Sequence, residues 1–84
     1  MVSEAYINEL RKAMSARSVK ALIDKFNSQV GRTRFNSTQD IHNNILIDTL
    51  ADKGIDVSVV YHEGSISFAR RIKLSDDNTT LIFA

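Results

Sequence analysis

The chain has 84 residues, of which 43 % are hydrophobic and 25 % charged, with a net charge of +1. That is room for one domain with one core, too apolar for a disordered chain, and far below the charge of a typical nucleic-acid-coating module. Cysteine is absent, so neither a disulfide nor a thiolate metal site can supplement the core.

The first residues mix polar and apolar side chains, and no apolar run approaches a membrane span. The expectation is a soluble, cytoplasmic protein. Residues 1–36 carry seven basic and three acidic side chains, a net charge of +4, and residues 37–84 carry four and seven, a net charge of −3. The first half therefore presents a mildly basic surface, divided between solvated helix faces.

The spacing of Tyr6, Ile7, Leu10 and Met14 predicts a first helix from Ser3 to Ser15, capped by Ser3. The five-residue step from Met14 to Val19 breaks the stripe. A second helix then starts from a Ser15 or Ser18 cap, with one long bent helix as the alternative. Its face is Val19, Leu22, Ile23, Phe26 and Val30, and Gly31 is its natural stop. A short basic connection, Gly31 to Asn36, leads to a strong helix start. Either Asn36 with Gln39 or Ser37 with Asp40 can form a capping box there. The third helix is expected to reach about Lys53, with Gly54 beyond it. Ile45, Leu46, Ile47, Leu50 and Ala51 spread around most of its circumference. That predicts a central helix between a sheet and the other two helices.

From Ile55 the apolar period changes to two. Ile55, Val57, Val59 and Tyr61 alternate with Asp56, Ser58, Val60 and His62. Past Glu63-Gly64, the inward set is Ile66, Phe68, Arg70, Ile72 and Leu74. A loop at Ser75–Asn78 precedes a last strand, Thr79 to Phe83. A two-residue turn at Glu63-Gly64 sets His62 opposite Ser65, Val59 opposite Phe68 and Asp56 opposite Arg71. The second loop sets Ile72 opposite Leu81 and Arg70 opposite Phe83. The resulting fold class is α+β, one two-layer domain over residues 1–84. Three N-terminal helices (1–54) pack on one face of a three-stranded antiparallel β-meander (55–84), in the order α-α-α-β-β-β. The expected core is Leu10, Met14, Leu22, Ile23, Phe26, Ile41, Ile45, Leu46, Leu50, Val57, Val59, Ile66, Phe68, Ile72 and Leu81.

No catalytic or cofactor motif stands out. His42 and His62 have no His or Cys neighbour at ligand spacing, no serine sits in a nucleophile elbow, and the three glycines form no phosphate loop. Asp76-Asp77-Asn78 reads as turn chemistry, and so do the two Asn-x-Ser/Thr patterns at Asn36 and Asn78. The reading is a non-enzymatic module with no metal, cofactor or small-molecule substrate.

Two binding readings follow. In the first, the outer sheet face meets a protein partner or a second copy of the chain. That face is small and partly apolar, with Val60, Ala69, Arg71 and Ile82 as its contact residues. The uncharged edge strand Thr79 to Phe83 extends it. In the second, the element order is similar to a winged helix without its first small strand. Gln39, His42 and Asn43 at the start of the third helix then read bases. Arg32 and Arg34 hold phosphates, and Arg70 and Lys73 sit on the wing. Asp40, Asp48 and Asp52 on the same helix oppose a phosphate backbone, and the first reading is preferred.

Overall fold

The computed structural model of the protein describes residues 3–32 and 34–84. Position 33, inside the expected basic connection, lies outside the described residues. Three helices form where the apolar periodicity marks them, although the second closes at Asn27, in a turn ahead of the expected stop at Gly31. α1 spans Glu4–Ser15, α2 spans Val19–Asn27 and α3 spans Ser37–Asp52.

Each helix begins at a side chain that accepts an otherwise unpaired backbone N–H. Ser3 Oγ accepts from Tyr6 N–H at 3.1 Å, and Ser18 Oγ accepts from Ala21 N–H at 3.1 Å. Asn36 Oδ1 accepts from Gln39 N–H at 2.8 Å. A cap of this kind contributes about 1 kcal/mol. The Ser18 cap and the C-terminal turn at Ala16 separate α1 from α2, so they are two helices and not one bent rod.

α3 packs against both α1 and α2. Its Ile45, Leu46, Ile47 and Leu50 are buried, together with Met14 of α1 and Leu22, Ile23 and Phe26 of α2. Ala51 is exposed, so the apolar circumference of α3 is narrower than expected. Every residue of the expected core is buried or packed against the buried set.

The β half departs from the expected meander. It contains two separate two-stranded antiparallel sheets. β1 (Tyr61–His62) pairs with β2 (Ser65–Ile66), with His62 opposite Ser65 as expected. Glu63 and Gly64 have φ of 48° and 82°, the pair of positive values that a type I′ hairpin turn requires. β3 (Ile72–Leu74) pairs with β4 (Leu81–Phe83). The predicted middle strand, Ser65 to Leu74, is therefore split. A bend at Ala69-Arg70 divides it, and each part has its own partner.

Ahead of Tyr61 the predicted first strand is replaced by a turn. Within that stretch Asp56 keeps a sheet contact, a parallel bridge to Thr80. Its N–H donates to Thr79 C=O at 2.8 Å, and its C=O accepts from Leu81 N–H at 2.9 Å. Its carboxylate then accepts from Ser58 N–H at 2.9 Å, which turns the chain away from the sheet. A helical turn follows, in which Val57 C=O accepts from Val60 N–H and Tyr61 N–H. This rotation buries Val60 at 1 % exposure, although alternation predicted it outward. The expected pairs Val59–Phe68 and Asp56–Arg71 are not formed.

The β3–β4 register is Ile72 opposite Phe83 and Leu74 opposite Leu81, two residues from the expected one. A slip of two keeps each side chain on its face. The cause is the tight loop. Ser75 N–H donates to Thr80 C=O at 2.8 Å. Inside it, the Asp77 carboxylate accepts from Ser75 Oγ at 2.6 Å and Thr79 Oγ1 at 2.7 Å.

The β3–β4 sheet lies against α2 through β3. One side chain joins them. Asn27 Nδ2 donates to Ile72 C=O at 2.9 Å, and Asn27 Oδ1 accepts from Ile72 N–H at 2.8 Å. The carboxamide thus pairs with the outer edge of β3 as a neighbouring strand would. Phe68 stacks on Phe26 at 4.6 Å between ring centres, and its C=O accepts from Gly31 N–H. These contacts fasten the β half to the end of α2. Among the described residues no helix is long and apolar enough to cross a membrane.

Candidate functional site

The side chains expected to read bases are used within the domain. Asn43 is 3 % exposed. Gln39 Nε2 donates to Gln29 Oε1 at 2.7 Å and to Asn43 Oδ1 at 3.3 Å. His42 Nε2 is 2.8 Å from the Tyr6 hydroxyl. These contacts tie α3 to α2 and α1, so Gln39, His42 and Asn43 do not form an open reading face. Arg32 and Arg34 are exposed.

The expected partner face is also rearranged. Val60 leaves it for the core. Ala69 lies on the bend, and Arg71 and Lys73 are exposed on β3 and its approach. Ile82 faces Lys73 across the sheet and is 37 % exposed. Phe83, which the sequence reading placed inward, is 39 % exposed, with the Arg70 guanidinium 4.3 Å above its ring. This stacking replaces the inward Arg70 expected from alternation.

The outer edge of β4 is only partly occupied. Ser75 N–H bonds to Thr80 C=O, and Ala84 N–H bonds to Arg71 C=O. By alternation, Leu81 and Phe83 direct their backbone groups away from β3. Leu81 N–H is taken by Asp56. The turn at Ser58 ends that ladder. Leu81 C=O and Phe83 N–H make no hydrogen bond among the described residues.

Charge is graded along this edge. The loop end carries Asp56, Asp76 and Asp77, and the far end carries Arg70 and Arg71. The Ser58 N–H, then its hydroxyl, holds the Asp56 carboxyl below its ordinary value. The Ser75 hydroxyl, then the Thr79 hydroxyl and N–H, does the same for Asp77. Both groups thus stay anionic into acid.

Two concavities accompany the edge. A groove of about 350 Å³ runs between α2 and β3, along Lys20, Ile23, Asn27, Ile72 and Leu74. A pocket of about 290 Å³ lies between α3 and the β1–β2 hairpin, lined by Phe35, Asp40, Asn43, Asn44, Gly64, Ile66 and Phe68. Sequence reasoning missed Phe35 and Phe68 as pocket residues. A period of two marked Phe68 only as core, and a pocket between distant segments has no local signal. No group of three His, Cys, Asp or Glu able to hold a metal occurs among the described residues.

No protein-family model matches this sequence, and comparison with curated proteins and with solved structures returned no match.

Proposed function

We propose that this chain is a non-enzymatic interaction module that joins a second copy of itself through the outer edge of β4. The observation that carries the reading is the open Leu81 C=O and Phe83 N–H, flanked by exposed Ile82 and Phe83. An edge of this kind is a template for another strand. The charge gradient selects the partner. A second copy laid antiparallel brings the acidic loop end of each β4 beside the basic end of the other. The same arrangement is two-fold symmetric and self-complementary.

The duplex-reading alternative ranks second. It keeps Arg32 and Arg34 at the surface, while its base readers are bonded within the domain.

Light scattering coupled to size exclusion tests the reading. The expected species is a dimer that dissociates on dilution. Ile82→Lys is expected to weaken association at least about tenfold, because it places like charges beside each other across the pair. A wild-type chain that is monomeric across all accessible concentrations overturns the proposal.

A further inference from the structure

We infer that the pocket between α3 and the β1–β2 hairpin binds a nucleobase-type heterocycle bearing an exocyclic amine. The inference does not depend on the β4 edge, which lies on other elements.

The argument begins with a buried amide. Asn43 is 3 % exposed and lines the pocket. Its orientation is fixed by a chain of carboxamides. Gln29 Nε2 donates to Lys25 C=O at 3.4 Å, and Gln39 Nε2 donates to Gln29 Oε1 at 2.7 Å. Gln39 Nε2 also donates to Asn43 Oδ1 at 3.3 Å. The Asn43 oxygen is therefore committed inward. Its NH₂ has no hydrogen-bond partner among the described residues, yet no fully enclosed side-chain nitrogen or oxygen lacks one. The Asn43 NH₂ is thus not fully enclosed. Asn43 lines this pocket and also a small cleft beside Gln29 and Gln39. With its oxygen engaged by Gln39, the NH₂ is assigned to the pocket's occupant.

Asp40 and Asn44 supply the opposite character. Asn44 Nδ2 donates to Asp40 C=O at 2.9 Å, which leaves Asn44 Oδ1 as an acceptor. The Asp40 carboxylate is a second acceptor. One donor and two acceptors thus line one pocket, and an amine beside a ring nitrogen complements them. The ring nitrogen accepts from Asn43, and the two amine hydrogens meet Asp40 and Asn44. The imide of uracil has one hydrogen for those two acceptors.

The apolar lining fits a flat ring. Phe35 and Phe68 lie 5.0 Å apart at 44°, and Phe68 also stacks on Phe26 at 4.6 Å. Such rings are stacking platforms for unpaired bases. A volume of about 290 Å³ sits at the lower bound of ordinary ligand pockets, roughly 300–1,000 Å³. It is sized for one ring system. A carboxylate ligand is repelled by Asp40, and a plain hydrocarbon ring leaves the Asn43 donor unpaired.

The base can come from a free nucleoside or from a single strand. Arg32 and Arg34 are exposed on the segment leading into Phe35, where they are placed to meet the phosphates of a strand.

The test is a proton–nitrogen correlation titration of the full chain with adenosine, cytidine, uridine, phenol and a short oligo(dA). Adenosine and cytidine are expected to shift the Asn43 side-chain NH₂ and the Phe35 amide, and uridine to bind more weakly. Asp40→Ala, at an exposed position, is expected to weaken adenosine binding roughly tenfold or more. Its spectrum reports separately that the fold is kept. Oligo(dA) binding tighter than adenosine, with the excess removed by Arg32→Ala and Arg34→Ala, identifies a strand as the source. Equal affinities identify the free nucleoside. No shift with any base at millimolar concentration overturns the inference, as does phenol binding as well as adenosine.

Discussion

Residues 4–52 and residues 55–83 reach their shapes by different routes. In the helical half, each element closes its own backbone bonds, and each start is set by the residue immediately before it, Ser3, Ser18 or Asn36. In the β half the strands are two or three residues long. Their geometry depends on side chains that bond to backbone, namely Asp56 to Ser58, Asp77 to Thr79 and Asn27 to Ile72. Short strands gain little from one another. The conformation is then set by whichever side chain satisfies the remaining polar groups. A periodic apolar pattern is sufficient to specify the first half and insufficient for the second.

Three experiments break or sharpen that contrast. The largest effect is expected at Val60. A lysine there places an unpaired charge in the core, at a cost of ~4 kcal/mol or more. Urea unfolding of Val60→Lys is expected to show loss of the folded state. Ile82→Lys, on the exposed face, is expected to keep monomer stability within about 0.5 kcal/mol. Equal midpoints for the two variants would restore a continuous strand through Ser58 to Tyr61.

An intermediate effect is expected at Asn27. Asn27→Leu keeps the size of the side chain and removes both bonds to Ile72. The expected loss is about 2 kcal/mol, the scale for polar groups left without partners. Amide exchange is expected to accelerate at Ile72 and through β4, with the α3 amides less affected. Uniform acceleration across all elements would show that the carboxamide is not the specific link between the halves.

The smallest effect concerns acid. The folded pKa values of Asp56 and Asp77 lie below the ordinary 3.8. Their contribution is complete above that unfolded value and is lost as pH falls through the lower folded ones. Both carboxylates are exposed, so the stability change is small. The Ser58 and Thr79 amide resonances are expected to titrate with midpoints under 3.8. Midpoints at or above 3.8 would detach the two turns from their aspartates.

The helices were legible in the sequence because caps and stripes act within four residues. The Glu63-Gly64 turn was legible for the same reason, since both residues must take positive φ and a two-residue loop leaves one register. Val60 was misplaced because alternation from Ile55 to Tyr61 is equally compatible with a strand and with a turn. The choice fell to the Asp56 carboxylate, whose capture of Ser58 N–H ends the extended segment. The split of Ser65–Leu74 was hidden because its two parts keep the parity of one strand. Of the candidate contacts, Arg71, Lys73 and Ile82 were correctly read as outward. Gln39 and Asn43 were misread because polar side chains on a helix start look alike whether they meet water or one another. The Asn27 bond, 45 residues away in sequence, had no local trace.

The carboxamide of Asn27 has a consequence for assembly. A two-stranded sheet with both edges open could add a copy on each side and grow into a filament. Here the outer edge of β3 is already occupied at Ile72. On the proposed β4 pairing, growth has one open place to begin, and on the other side Asn27 obstructs it at Ile72, which favours pairs over longer assemblies. Asn27 is then a chain stopper as well as a fold contact. The leucine variant that loosens the β half is also the one that would open the sheet to fibre formation.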